Sequence, residues 1–377
     1  MTTQEVTSTA LALAVREHTP VLLWGGPGTG KSAVVRSLGA AMGVDVVTVI
    51  ASLREPADFA GLPVVTAEGS IRLAEPSWAR DLASAGQGIL FLDEITTAPP
   101  SVQAALLRVV LERVVGEVEL PAAVSVVAAA NPPEQAAGGW DLTPPLANRF
   151  CHLQWPVDND RFLEALSAGW PPPPDVAAAP PAADAAEATV RVRAALAGFL
   201  RSRPALLYQL PEDIAGSGHA WPSPRSWDMA AGLWAAAEAV EASEEVALTL
   251  VAGCVGPGAA RELLAWRREA DLPDPEAVLA DPASFRLPER GDRQFAVLSA
   301  LAAAVAANPT KERWEAAFQV VDQAIKAGAA DVAAVASRAL AKCAPPDVEV
   351  LPPALASLAP VLGRAGLLGR MAGRRDV

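Results

Sequence analysis

Eight consecutive residues, Gly25-Gly26-Pro27-Gly28-Thr29-Gly30-Lys31-Ser32, constrain this chain more than any other stretch. They fit the pattern G-x-x-x-x-G-K-[ST] at every fixed position. The short apolar run Val21-Leu22-Leu23-Trp24 before them predicts a buried strand, and Ala33-Val34-Val35-Arg36-Ser37-Leu38 after them predicts a helix. In that setting glycines let backbone N–H groups fold around phosphate oxygens, and the helix N-terminus adds its positive dipole end. Gly25 through Ala33 are therefore the expected cradle for a nucleotide triphosphate. Lys31 is expected at the terminal phosphates and the Ser32 hydroxyl on magnesium. Chance would produce the bare pattern in roughly one chain in a hundred of this length, and the correct flanks lower that further.

A second apolar strand, Gly88-Ile89-Leu90-Phe91-Leu92, ends in Asp93-Glu94. In a parallel sheet the carboxyl ends of strands face the ligand. Asp93 there is expected to hold magnesium and Glu94 to align and polarise the attacking water. By themselves two acids at a strand end fit a solvated pair equally well; behind a phosphate loop the hydrolytic reading prevails. Asn131 closes the apolar run 124–130. Its amide can bond both water and γ-phosphate, although an Asn before Pro132-Pro133 is also an ordinary turn starter.

The remaining pattern alternates β and α up to about residue 168. Residues 4 to 17 read as a helix stopped by Pro20, and 46–50 as a buried strand. Residues 54–73 read as a hairpin inserted into the core, 77–85 as a helix, and 102–112 as a helix opened by Pro99-Pro100. A small hairpin follows at 114–120. Thr143 caps a helix leading into Asn148-Arg149-Phe150, followed by a strand at 152–155 and a helix at 158–166. Prolines and alanines over 169–185 form a linker. Beyond it nearly everything reads as helix, separated by loops such as Pro273 to Pro275. The expected domains are an α/β nucleotide-binding domain over 1–168, a helical lid over 186–275 and a helical extension over 285–377.

The formal net charge of −13 disfavours a default binder of phosphate backbones. Cys151, Cys254 and Cys343 show no metal spacing and fit buried thiols in a reducing cytoplasm. No signal-peptide pattern and no run of 18 apolar residues occurs, so a cytoplasmic chain without a membrane partner is expected. His18, His152 and His219 form no ligand pattern. Trp221, Trp227 and Trp234 read as packing residues of the helical region.

The order of parts resembles the AAA+ ATPases, and most of all their MoxR branch within the helix-2-insert clade. That resemblance is carried by the phosphate loop, the inserted hairpin and Leu92-Asp93-Glu94-Ile95. The run Ala98-Pro99-Pro100-Ser101-Val102-Gln103-Ala104-Ala105-Leu106-Leu107, the strand ending at Asn131 and Asn148-Arg149-Phe150 complete it. It is strong over about residues 20 to 155. Two positions depart from the family: Thr96-Thr97 replaces the usual Asn-Arg, and Ala147-Asn148 replaces Leu-Asp before the arginine.

The resemblance implies a P-loop AAA+ core with a parallel sheet, an all-α lid and a helical C-terminal region. It also implies ATP with Mg2+, and a self-assembled ring, commonly a hexamer, with ATP at subunit boundaries. By family position Arg149 matches the arginine finger and Arg225 the sensor-2 arginine; by residue type alone each fits a surface ion pair. The segment 54–65 resembles the insert that faces the ring axis and clients. The implied activity is ATP hydrolysis driving chaperone-like remodelling or maturation of a protein client, with a von Willebrand A-domain partner. A different class also fits: a nucleotide-gated assembly scaffold in which hydrolysis is incidental. A nucleic-acid motor is opposed by the acidic charge and by the lack of interleaved basic and aromatic residues.

Overall fold

A computed structural model of the chain describes residues 1–132, 139–170, 172–174, 182–213, 218–270 and 272–345. The strands are β1 (Val21–Trp24), β2 (Val46–Ile50), β3 (Leu62–Val65), β4 (Ile71–Ala74), β5 (Gln87–Asp93), β6 (Val114–Val115), β7 (Val118–Glu119), β8 (Ala123–Ala130) and β9 (Cys151–Gln154). Five of them form one sheet in the order β2-β5-β8-β1-β9. All four of its ladders are parallel. The two small hairpins β3–β4 and β6–β7 stand outside it.

The sequence explains the sheet. Val21-Leu22-Leu23-Trp24 has no polar face, and all four residues are buried, as a strand covered on both sides requires. The same holds for β8 from Val124 onward. The helices up to residue 168 are α1 (Thr3–Arg16), α2 (Lys31–Met42), α3 (Ala57–Ala60), α4 (Ser77–Ala85), α5 (Pro100–Glu112), α6 (Pro144–Ala147) and α7 (Asn159–Ala168). Thr2 and Glu5 close a capping box at the start of α1. The inserted hairpin is fastened to its neighbour: Gly116 N–H donates to Phe59 O at 3.3 Å, and Leu73 N–H to the Glu117 carboxylate at 2.9 Å. Its open end, Val65 opposite Ile71, faces solvent.

The later helices are α8 (Ala182–Ser202), α9 (Pro224–Ala239), α10 (Glu244–Val255), α11 (Pro257–Ala270), α12 (Pro275–Ala280), α13 (Gly291–Ala307), α14 (Lys311–Lys326) and α15 (Ala330–Lys342). The chain divides into two compact units, Met1–Pro180 with Leu206–Arg261, and Pro181–Ala205 with Glu262–Val377. This cut differs from the expected bounds. Helix α8, expected with the lid, groups with the C-terminal helices, whereas α9 and α10 group with the sheet. The physical reason is packing: Gly198 of α8 lies so close to α13 that a Cβ there would sit 2.8 Å from the Ala296 methyl.

The core of the second unit centres on Trp314, fully buried, whose indole donates to Leu340 O at 2.9 Å. Truncating it to Ala would cost about 3–5 kcal/mol. Helix α12 is not among the helices expected from the sequence; it begins at the end of the expected loop Pro273 to Pro275. Its signal is Pro275 at the first helical position behind the N-cap Asp274, whose side chain accepts from Glu276 N–H. Linker residues 171 and 175–181, and the tail from 346 on, lie outside the described residues. Among the described residues no helix is long and apolar enough to cross a membrane.

Candidate active site

Three strand ends meet on one sheet edge. Trp24 is level with Ala130, and Leu92 with Ala128. Gly25, Asp93 and Asn131 therefore leave the sheet side by side, at the carboxyl ends where α/β sheets bind ligands. The Gly25 N–H continues the ladder by donating to Ala130 O at 3.1 Å. Gly28 and Gly30 have φ of 76° and 90°, a region L side chains rarely enter. Gly25 is glycine for another reason: an added Cβ would lie 2.9 Å from Trp155 O. The Trp155 indole donates to Thr29 O at 3.0 Å and braces the loop from β9's end. Helix α2 begins at Gly30 with no side-chain cap, so its first-turn N–H groups are free to take an anion.

Lys31 is buried, and its ammonium donates to Gly25 O at 2.5 Å, Gly26 O at 2.9 Å and Asn131 Oδ1 at 2.9 Å. Burial pushes its pKa below the ordinary lysine value, and the Asp93 carboxylate opposes that shift. The Ser32 hydroxyl donates to Asp93 Oδ2 at 2.9 Å. A cradle of backbone donors with a lysine fits a triphosphate. A hydroxyl beside a carboxylate supplies the hard oxygen donors that magnesium prefers.

Glu94 follows Asp93 in a left-handed conformation, φ 56° and ψ 41°, unusual for a non-glycine residue. Its carbonyl accepts from Thr97 Oγ1 at 2.8 Å, and its carboxylate accepts from Ser52 Oγ at 2.6 Å. The sequence reading missed Ser52. The usable signal is register: Ile50 pairs with Asp93, so the turn after β2 must lie beside Glu94.

A cavity of about 680 Å3 opens beside the loop, lined by Pro27 to Gly30 and by Gln4, Ser8, Phe162 and Trp170. The Phe162 and Trp170 rings meet edge to face, 5.8 Å apart. A lining that combines the loop with two aromatic rings suits a nucleoside phosphate.

Arg149 and Arg225 are absent from that lining. Arg149 follows α6 and donates to Pro145 O. Burial, and then the charge of Arg225, lower its pKa from the usual arginine value. The fold thus brings Arg149 near Arg225, in the first turn of α9. Neither forms an ion pair with a carboxylate among the described residues. Two like charges without a counter-ion form a surface suited to an anion. The histidines hold no ligand cluster: no metal-binding group occurs among the described residues. Cys151 and Cys254, far apart in sequence, touch through their thiols.

No curated protein matches the sequence. Among solved structures the chain aligns with a protein from Cytophaga hutchinsonii ATCC 33406 described as a "putative ATPase". Identity is 17%, over 68% of this chain and 78% of that one, with a TM-score of 0.39. Residues 20–150 match the family described as AAA domain (dynein-related subfamily). The phosphate loop, the two acids, Asn131 and Arg149 all fall within that segment, which has the parallel-sheet fold of an AAA domain and is followed by helices.

Proposed function

We propose that this chain is an ATP-hydrolysing machine of MoxR type, a chaperone-like ATPase that remodels or matures a protein client. The observation that carries the reading is the cluster at one sheet edge: Lys31 bonded to Asn131, Ser32 bonded to Asp93, and Glu94 next in line. Loop N–H groups and Lys31 hold the phosphates. Ser32 and Asp93 would hold Mg2+, which when bound neutralises charge between the β- and γ-phosphates. Glu94 takes the proton of the attacking water, and Asn131 orients that water against the γ-phosphate. Arg149 and Arg225 stabilise transition-state charge in the site of a second copy, which makes a ring, of six subunits by family resemblance, the working form. A von Willebrand A-domain partner and a cytoplasmic location belong to the same reading.

The experiment is Glu94→Gln. ATP binding is kept and turnover falls by a factor of about 10^3 or more; undiminished hydrolysis would sink the assignment. A second reading, a nucleotide-gated scaffold, draws on the Ser52 bond that holds the Glu94 carboxylate. Slow hydrolysis that neither partner nor client accelerates would favour it.

A further inference from the structure

Helix α6 is a single turn of four residues, far too short to hold its own shape in water. Yet Arg149 stands just beyond its end. Two buried side-chain amides fix that turn, one at each end. At the start, Gln103 of α5 is wholly buried and accepts from the backbone N–H of the N-cap Thr143 at 3.1 Å. The same amide donates to Ala98 O at 3.2 Å and to Asp141 O at 3.4 Å. Ala98 belongs to the short loop that begins at Glu94.

At the other end, Asn148 is 6% exposed. It donates to Trp221 O at 3.0 Å and accepts from Ser223 Oγ at 2.6 Å. Ser223 is the N-cap of α9, in a reciprocal capping box with Ser226, and Ser226 Oγ donates to Trp221 O at 2.9 Å. Arg225 lies between those two serines. An aliphatic side chain in either place would exclude water equally well and leave the facing polar groups unpaired.

We propose that Gln103 and Asn148 are positioning residues for the arginine pair. They brace α6 between the loop behind Glu94 and the helix that carries Arg225, so that Arg149 and Arg225 face a second copy of this chain as one rigid unit. The proposal rests on the reading that Arg149 serves a neighbour's site.

Two inactive full-length variants test it by mixing. Lys31→Ala lacks a working pocket but keeps both arginines; Arg149→Ala keeps the pocket but lacks the finger. Their shared sites regain hydrolysis. Asn148→Leu is then added to one chain at a time. In the arginine-donating Lys31→Ala chain it lowers regained turnover by about tenfold to a hundredfold, the penalty of a finger displaced by an ångström or so. ATP affinity of the partner pocket stays unchanged. In the pocket-donating Arg149→Ala chain the same substitution changes regained turnover by less than about twofold, because the turn it loosens serves no working site. Gln103→Leu, which also releases Ala98, lowers turnover from either chain. Should Asn148→Leu fail to fold, Ser223→Ala removes one bond of the same brace and carries the same one-sided loss at smaller size. Equal losses from both chains with Asn148→Leu or Ser223→Ala, or no loss from the arginine donor, overturn the positioning role. No regained turnover in the unmodified mixture overturns the shared-site reading, and this proposal with it.

Discussion

The Ser52 hydroxyl donates to the Glu94 carboxylate across 2.6 Å, joining the turn after β2 to the acid that follows β5. Glu94 sits in a left-handed conformation, so its side chain is aimed by its backbone as well as by this bond. A hydrogen bond to a charged acceptor contributes about 1.5–3 kcal/mol, and by favouring the charged carboxylate it weakens the base that the proposed reaction needs. Ser52→Ala is expected to raise basal ATP turnover by up to about tenfold, with ATP affinity unchanged. Steady-state kinetics beside a binding titration decide it, and a fall in turnover would mean that Ser52 aligns Glu94 instead of restraining it.

Asn131 Oδ1 accepts from the Lys31 ammonium at 2.9 Å, which leaves its amide N–H groups to donate to a γ-phosphate oxygen in the proposed reaction. Asn131→Ala should lower kcat by about tenfold to a hundredfold and leave ADP affinity nearly unchanged, since ADP has no γ-phosphate. An equal loss in ADP binding would assign Asn131 to holding the loop.

Gly25→Ala puts a Cβ 2.9 Å from Trp155 O and 3.3 Å from Thr29 Oγ1, against backbone that Trp155 itself braces. Overpacking of this kind costs about 1–3 kcal/mol, enough to weaken ATP binding by about tenfold or more if the loop yields. Calorimetric titration reads it directly. Wild-type affinity would show that the loop accommodates the methyl group.

Much of the site was legible in the sequence because its signals are local. The phosphate loop, the acids after an apolar strand and Asn131 each carry their own flanks, and each stands at a strand's carboxyl end in the fold. Other relationships are tertiary and leave no local mark. Ser52 meets Glu94 only through the Ile50–Asp93 register. Cys151 meets Cys254 because α10 lies directly on β9, so close that a Cβ on Gly253 would be 2.6 Å from His152 O. Gln103 stood out in sequence as part of a family-like run, yet its brace on Thr143 spans 40 positions.

His152 ties acid stability to this same region. The Trp24 indole donates to Nδ1 at 2.9 Å, so the ring proton must sit on Nε2, facing Ala147 O at 2.9 Å. Burial pushes its pKa down to about 4 from the ordinary 6.5, with the bond to Ala147 opposing. The folded value is the depressed one, so the contribution is whole above pH 6.5 and is lost as pH falls from 6.5 toward 4. About 2–3 kcal/mol of stability should disappear over that window. Urea unfolding at several pH values should give a shallower acid limb for His152→Gln than for the native chain; equal limbs would mean that His152 titrates normally.

In the proposed ring each ATP site is completed by a second copy of the chain. ATPase activity per subunit, measured over about three decades of protein concentration, tests it most directly. Activity should be low in dilute solution and rise to a plateau as subunits meet, with Arg149→Ala flat and low throughout. Full activity per subunit at the lowest concentration, where the protein is monomeric by mass, would contradict it.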